Sequence, residues 1–332
     1  MTKQHALLIA LADGKYHSGA DLGVEFGVSR AAIGKAIQKL AQNYDLNVFA
    51  VKGKGYRLQQ ALELLDEKNI RQQLRKQTLN ALEQFEIFFD LDSTNRYLNN
   101  KSIDGAPSGY LVLAEQQSKG VGRQGRPWIS PFGSNLYLSL LWRFQCGAAQ
   151  LGCLSLFIAV AIVRALKKAG AKDVGVKWPN DIYWNNKKLA GILLEMRGEL
   201  SGPSAVVIGI GLNICMPSSN SNSEVKNIDQ PWVDLEAILG EKVKRNDVTA
   251  LIIDSLFDIL NEMPEQQNKL LEEWQQLDVL KNQNIEVRFA DKTINGKGLG
   301  INRDGALLVR HNGKELVCHS GDVSIRPGLK DG

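Results

Sequence analysis

Apolar positions recur at helical spacing near the amino terminus and are punctuated by residues that start and stop helices. After Ser18, Leu22 and Phe26 fall on one face, and Gly27 suits a left-handed stop. A second start lies at Ser29. Ile33, Ile37 and Leu40 then recur on the core-facing side, while Arg30, Ala31, Gly34, Lys35, Gln38 and Lys39 occupy the opposite arc. Residues 47–51 and 56–58 read as strands around the turn Lys52-Gly53-Lys54-Gly55. Two helices, a tight turn and a basic hairpin predict a winged helix-turn-helix over residues 1–62. The opening residues alternate apolar and polar side chains, without the basic flank and long apolar core of a signal segment.

Leu62, Leu65, Ile70 and Leu74 sit at roughly helical spacing and predict a connecting helix over residues 63–82. Strands and helices then alternate. Residues 110–114 and 205–210 are apolar strands and residues 151–169 an apolar helix, which predicts an α/β or α+β domain over residues 83–277. Short runs separated by Gly and Asn/Asp turns across residues 284–326 predict a small β-barrel within residues 278–332. No stretch approaches the ~18 consecutive apolar residues of a membrane span. The reading is a soluble, cytoplasmic protein without a membrane partner.

Charge sharpens the amino-terminal reading. Residues 1–58 hold eight Lys/Arg against four Asp/Glu, equal to the whole chain's net +4, so the remaining residues are formally neutral. A bare helix-turn-helix pattern is as compatible with a protein interface as with nucleic acid. The basic wing and the local charge favour DNA. Arg30, Lys35, Lys39, Lys52 and Lys54 would chiefly meet phosphates, with Gln38 and Arg30 candidates for base edges and Ser29, Ala31 and Gly34 on the same surface. Gly34 offers no side chain for readout and is read as permitting close backbone approach. Cys146, Cys153, Cys215 and Cys318 form no CxxC pair, and His5, His17, His311 and His319 show no ligand spacing. Both facts argue against structural zinc and a disulfide framework.

The strand ending at Ala114 runs into a loop in which Gly120, Gly122 and Gly125 formally satisfy GxGxxG. A dinucleotide-binding turn needs a helix starting at those glycines, whereas Pro127, Pro131 and Gly133 follow here. There is no GK[ST], which excludes a P-loop. With Lys119, Arg123 and Arg126, the loop reads as a flexible polycationic clamp for an anion.

Five segments carry a resemblance in order: Asp92-Ser93-Thr94-Asn95, the loop 120–128, Lys177-Trp178-Pro179-Asn180-Asp181, Lys188-Leu189-Ala190-Gly191-Ile192-Leu193 and Gly209-Ile210-Gly211-Leu212-Asn213. They are similar to the signatures of biotin–protein ligases, and the chain resembles the bifunctional ligase/repressor subgroup over essentially its whole length. The resemblance implies a multi-domain α+β protein: an N-terminal winged helix-turn-helix, a central class II synthetase-like α/β catalytic domain and a C-terminal SH3-like β-barrel.

The resemblance also implies a reaction. The biotin carboxylate joins the α-phosphate of Mg²⁺·ATP, giving biotinyl-5′-AMP, and a lysine of a biotin carboxyl carrier protein then attacks the acyl carbon. The adenylate would favour a homodimer on the operator DNA of biotin biosynthesis genes. Ser93, Thr94, Asn95, Gln117, Gly120, Val121, Gly122, Arg123 and Lys188 match biotin-binding positions. Arg126, Trp128, Lys177, Asn180, Asp181, Asn213 and Trp232 match adenylate-binding ones, Trp232 as an adenine-stacking ring. Lys188 and Arg123 are the catalytic candidates: both steps gather negative charge, which fixed cations stabilise. No protein-held metal site is expected. Val121 stands where the family loop commonly has its first arginine, which removes one cation near the ligand. Two alternatives remain: a non-catalytic biotin or effector sensor, and a lipoyl-type ligase, which the winged helix and Gly-rich loop disfavour.

Overall fold

The computed structural model describes residues 2–198, 202–218, 224–289, 292–321 and 323–327. The chain opens with a helix that the alternating pattern hid, α1 (Lys3–Leu11). Thr2 caps it by accepting from the His5 amide, and Leu7, Leu8 and Leu11 form its buried face. α2 (Gly19–Phe26) and α3 (Arg30–Asn43) start and stop where expected. The Ser18 hydroxyl accepts from the Ala20 and Asp21 amides, Gly27 closes α2 at φ 63°, and Ser29 Oγ accepts from the Ala32 amide. β1 (Val48–Val51) and β2 (Gly55–Leu58) form the wing, and His17 pairs with Tyr56 to add a third row. Leu7, Leu11, Leu22, Ile33, Ile37, Leu40 and Leu58 share one small core.

The expected single connecting helix is instead two, α4 (Glu67–Gln73) and α5 (Lys76–Ala81), separated by extended backbone at Leu74 and Arg75. Tertiary contacts overrule the helical spacing here. The Arg75 guanidinium reaches Asp254 at 3.1 Å and Asp258 at 2.7 Å, and Thr78 Oγ1 donates to Asp254 at 2.6 Å.

The central domain comprises β3 (Gln84–Leu91), α6 (Thr94–Ile103), β4 (Tyr110–Gln117), β5 (Leu136–Phe144), α7 (Leu154–Lys168), β6 (Gly175–Lys177), β7 (Asp181–Trp184), β8 (Lys187–Gly198), β9 (Ser204–Leu212), α8 (Leu235–Leu239) and α9 (Arg245–Leu277). Its seven strands run in the order β3-β4-β5-β9-β8-β7-β6, and only β3–β4 is parallel. This is an α+β sheet, not a doubly wound one. α7 and α9 bury their apolar faces in the same core, clamped by Arg164 to Glu262 and Glu273. The stretch Ala148–Lys168 is apolar and long enough for a membrane span, but it is mostly buried as the core helix.

β10 (Asn284–Arg288), β11 (Thr293–Ile301), β12 (Leu307–His311), β13 (Lys314–Cys318) and β14 (Ser324–Pro327) make an antiparallel sheet ordered β13-β12-β11-β10-β14. Closing the expected barrel would require β13 to pair with β14, and no such ladder forms among the described residues. The sheet docks on the edge of the central one. Trp178 Nε1 donates to the Gly305 carbonyl at 2.9 Å, and the Val279 amide to Val176 at 3.0 Å.

The winged helix is also seated on the central domain. Phe132, which follows the Gly-rich loop, is buried in the winged-helix core, and its ring lies 4.3 Å from that of Tyr44. Tyr44 OH donates to Asp90 at 2.6 Å, and His5 stacks on Phe89 at 4.1 Å. Below them the buried pair Arg245–Glu115, at 2.9 Å, holds the connecting segment: Glu115 accepts from the Leu65 amide, and Arg245 donates to the Glu63 carbonyl.

Candidate functional site

Side chains alternate along a strand, so Gly209 and Gly211 open the same face of β9, next to Gly191 on β8. Together they floor a cleft. A Cβ at Gly211 would stand 2.3 Å from the Trp128 ring, one at Gly191 3.1 Å from it, and one at Gly209 2.2 Å from Asn95 Oδ1. The glycines therefore let an indole and an amide approach the sheet closely. Trp128 Nε1 is packed toward the Gly211 floor and has no hydrogen-bond partner among the described residues.

One end of the cleft is neutral and polar. The Thr94 amide and hydroxyl both donate to Gln117 Oε1, at 2.9 and 3.1 Å, and Ser93 caps α6 through the Arg96 amide. Ser139 Oγ lies 2.6 Å from Asn95 Oδ1 and 2.7 Å from Thr94 Oγ1, while Asn95 Nδ2 donates to Glu195 at 2.7 Å. Both ends of the Asn95 amide are thus held, which sets its orientation. Neither Ser139 nor Glu195 is recognisable in sequence, because each acts only through a strand neighbour.

The other end is cationic. Lys188 Nζ pairs with Asp181 at 2.7 Å and lies 5.3 Å from the Trp128 ring centroid. Arg123 donates to Asn180 Oδ1 at 3.2 Å and to the Ser320 carbonyl, tying the Gly-rich loop to the C-terminal sheet. Burial lowers the Arg123 pKa, offset by Asp181 and reinforced by Arg126. Lys177 is only 8 % exposed and donates to Tyr183 OH at 3.1 Å. Its pKa falls to about 8, first through burial; Asp181 opposes the fall, and the neighbouring cations Lys188, Arg326 and Arg126 add to it. Val323, Ile325 and Arg326 of the C-terminal sheet also line the cleft.

A second surface lies on the winged helix. Ser29, Arg30, Ala31, Lys35, Gln38 and Lys39 are exposed along α3, and Lys52 and Lys54 are exposed at the wing. At Gly34 a Cβ would stand 3.0 Å from Tyr56 OH, so the absence of a side chain there admits the wing's own tyrosine.

Known families match in three blocks: the HTH domain over residues 3–57, the biotin/lipoate A/B protein ligase family over residues 88–213, and the biotin protein ligase C terminal domain over residues 282–326. The bifunctional ligase/repressor BirA of Escherichia coli is 40% identical over 326 residues, 98% of this chain and 97% of that protein. The chain belongs to the bifunctional biotin ligase/repressor family. The Bacillus subtilis ligase/repressor is 32% identical over 96% of both proteins. A biotin protein ligase from Aquifex aeolicus, solved with biotin and ATP, shares the fold with a TM-score of 0.63 at 23% identity, covering 74% of this chain and all of that one.

In this ligase the cleft gathers Ser93, Thr94, Asn95, Gln117, Val121, Gly122, Arg123, Arg126, Trp128, Lys177, Asn180, Asp181 and Lys188 from four separate stretches of sequence. Gly120, Asn213 and Trp232 do not line it. Gly120 is pressed against the Trp128 carbonyl, where a Cβ would stand 2.6 Å away. Asn213 Nδ2 donates to the Val233 carbonyl at 3.2 Å, and Trp232 bridges the Lys188 backbone, so both shape the strand end that carries Lys188. The residues after Gly125 are extended, as the prolines require.

Proposed function

We propose that the cleft performs biotin adenylation and transfer, with biotin at the Ser93–Asn95/Gln117 end and ATP at the cationic end. The observation that carries this reading is the glycine floor joining a neutral, amide-fixed polar end to a cluster of Lys188, Lys177, Arg123, Arg126 and Arg326. That arrangement suits a ligand with a ureido ring at one end and phosphates at the other. The biotin carboxylate oxygen bonds to the α-phosphorus and pyrophosphate leaves; an acceptor lysine amine then attacks the acyl carbon and AMP leaves. Lys188 and Lys177 neutralise the converging carboxylate and phosphates. Arg123 holds the loop closed so that water does not reach the mixed anhydride. Trp128 covers the floor, and Arg326 adds a cation that the sequence motifs do not contain.

Among the described residues no group of three His, Cys, Asp or Glu side chains stands ready to hold a metal. Mg²⁺ would enter on the substrate phosphates with Asp181 beside it, and would neutralise phosphate charge.

Residues 1–62 form the DNA-binding unit, 63–82 the connector, 83–277 the catalytic unit and 278–332 the C-terminal unit. The acceptor is a biotin carboxyl carrier protein and the DNA partner an operator of biotin biosynthesis genes. An adenylate-bound homodimer would set two α3 helices on successive half-sites, in the cytoplasm, where these partners meet. Incubation with biotin and Mg²⁺·ATP tests the enzyme reading: biotinyl-5′-AMP and pyrophosphate are expected, and biotin binding without either product would establish the sensor alternative instead.

A further inference from the structure

Phe49 faces Arg57 directly across the wing hairpin. The antiparallel pairing of His17 with Tyr56 sets Tyr16 opposite Arg57 on the other side. Residues opposite one another in a sheet point to the same face, so Tyr16, Arg57 and Phe49 form one row with the cation in the middle. The Arg57 guanidinium carbon lies 5.1 Å from each ring centroid, within cation–π range, and Lys54 Nζ lies 5.8 Å from the Tyr16 ring. Tyr16 is 38% and Phe49 43% exposed, so both rings reach solvent, while Arg57 between them is half-buried.

Arg57 lacks the partner that such placement usually accompanies. Among the described residues it forms no side-chain hydrogen bond or ion pair, and its Nε is buried and unsatisfied. Asp13, three residues before Tyr16, is engaged by His17 at 2.9 Å and by the Lys15 amide. Two rings therefore restrict a guanidinium whose N–H fork has no acceptor among the described residues. A planar fork of this kind matches a phosphate bidentately, and restricting it beforehand lowers the ordering cost of contact. Lys52 and Lys54 stand at the turn of the same hairpin.

We propose that Tyr16, Arg57 and Phe49 form a preorganised phosphate clamp, which docks the wing on the backbone of duplex DNA. Arg57 is absent from the motif-based set of DNA contacts, and the inference rests on the DNA-binding reading of the winged helix. The clamp gives affinity and register without reading bases.

The test is fluorescence anisotropy of the full-length protein on a mixed-sequence duplex of about 40 base pairs, across about 50 to 200 mM KCl, since phosphate contacts are counted by the salt slope. Arg57→Gln should weaken binding and make the slope of log K against log[KCl] shallower by about one unit. Arg57→Lys should restore the slope but not the full affinity. Tyr16→Leu and Phe49→Leu, which keep the charge but release it, should weaken binding at a near-wild-type slope. A steep wild-type slope left unchanged in Arg57→Gln overturns the clamp, even if all four variants melt at lower temperature. A flat wild-type slope overturns the DNA reading itself, and Lys35→Gln on α3 provides its separate check.

Discussion

Lys188 Nζ stands 2.7 Å from Asp181 Oδ1, and both side chains are largely buried at the cationic end of the cleft. The pair keeps an ammonium in place before substrate arrives. Lys188→Ala should lower single-turnover adenylation by about 10²- to 10³-fold, the usual cost of removing one group that stabilises a developing charge. The fold should hold, because Lys177 and Arg123 still offset Asp181. Rapid-quench measurement of biotinyl-5′-AMP decides it, and an unchanged rate rejects the role.

Arg123 spans from the Gly-rich loop to Asn180 and to the Ser320 carbonyl, and so joins three elements over the cleft. Arg123→Gly should leave adenylate formation possible but speed adenylate release by about tenfold or more, in keeping with the loss of a charge-assisted contact. Stopped-flow dissociation no faster than wild type would argue that the loop closes by other means.

Lys177, with its pKa lowered to about 8, should make nucleotide binding pH-dependent in the free enzyme. The protonated form attracts phosphate, so ATP affinity is full below pH 8 and declines as pH rises through it, by up to about tenfold per unit. Proton uptake should accompany ATP binding near that pH, seen as a buffer-dependent calorimetric enthalpy. Lys177→Arg should abolish the dependence; an ATP dissociation constant constant over about pH 6.5 to 9.5 in the wild type would show that Lys177 does not meet the phosphates.

Deleting residues 1–62 should abolish operator binding while adenylate still forms, since the recognition helix and wing precede the cleft motifs. The deletion should not be silent for stability. It uncovers Phe132, 2% exposed in the full chain, whose burial contributes about 1.5–3 kcal/mol. Phe132→Ala in the intact protein should lower the unfolding temperature and loosen the winged helix, measurable as proteolysis at the connector. A protease pattern identical to wild type would mean that the Tyr44–Asp90 hydrogen bond and the His5–Phe89 stack suffice.

Local chemistry made much of this protein legible from sequence. Ser18, Gly27 and Ser29 state the helix ends of the winged helix through caps that need only neighbouring amides, and the prolines after Gly125 exclude a helix whatever the surroundings. The five ordered motifs carried the family and most of the cleft. What the sequence could not determine is contact between distant segments. The break at Leu74 depends on Asp254 and Asp258, far along the chain on the last central helix. Gly34 is small because Tyr56 needs the space, and Gly209 and Gly211 because Asn95 and Trp128 do. Trp232 and Asn213 shape the strand end beneath Lys188, whereas Ser139, Glu195 and Arg326 reach the site from elements whose local patterns advertise only strand. Caps and breakers act over a few residues through the backbone, and so leave a mark in the sequence. Which side chains converge on a cleft is decided by strand order and domain docking, which local pattern does not encode.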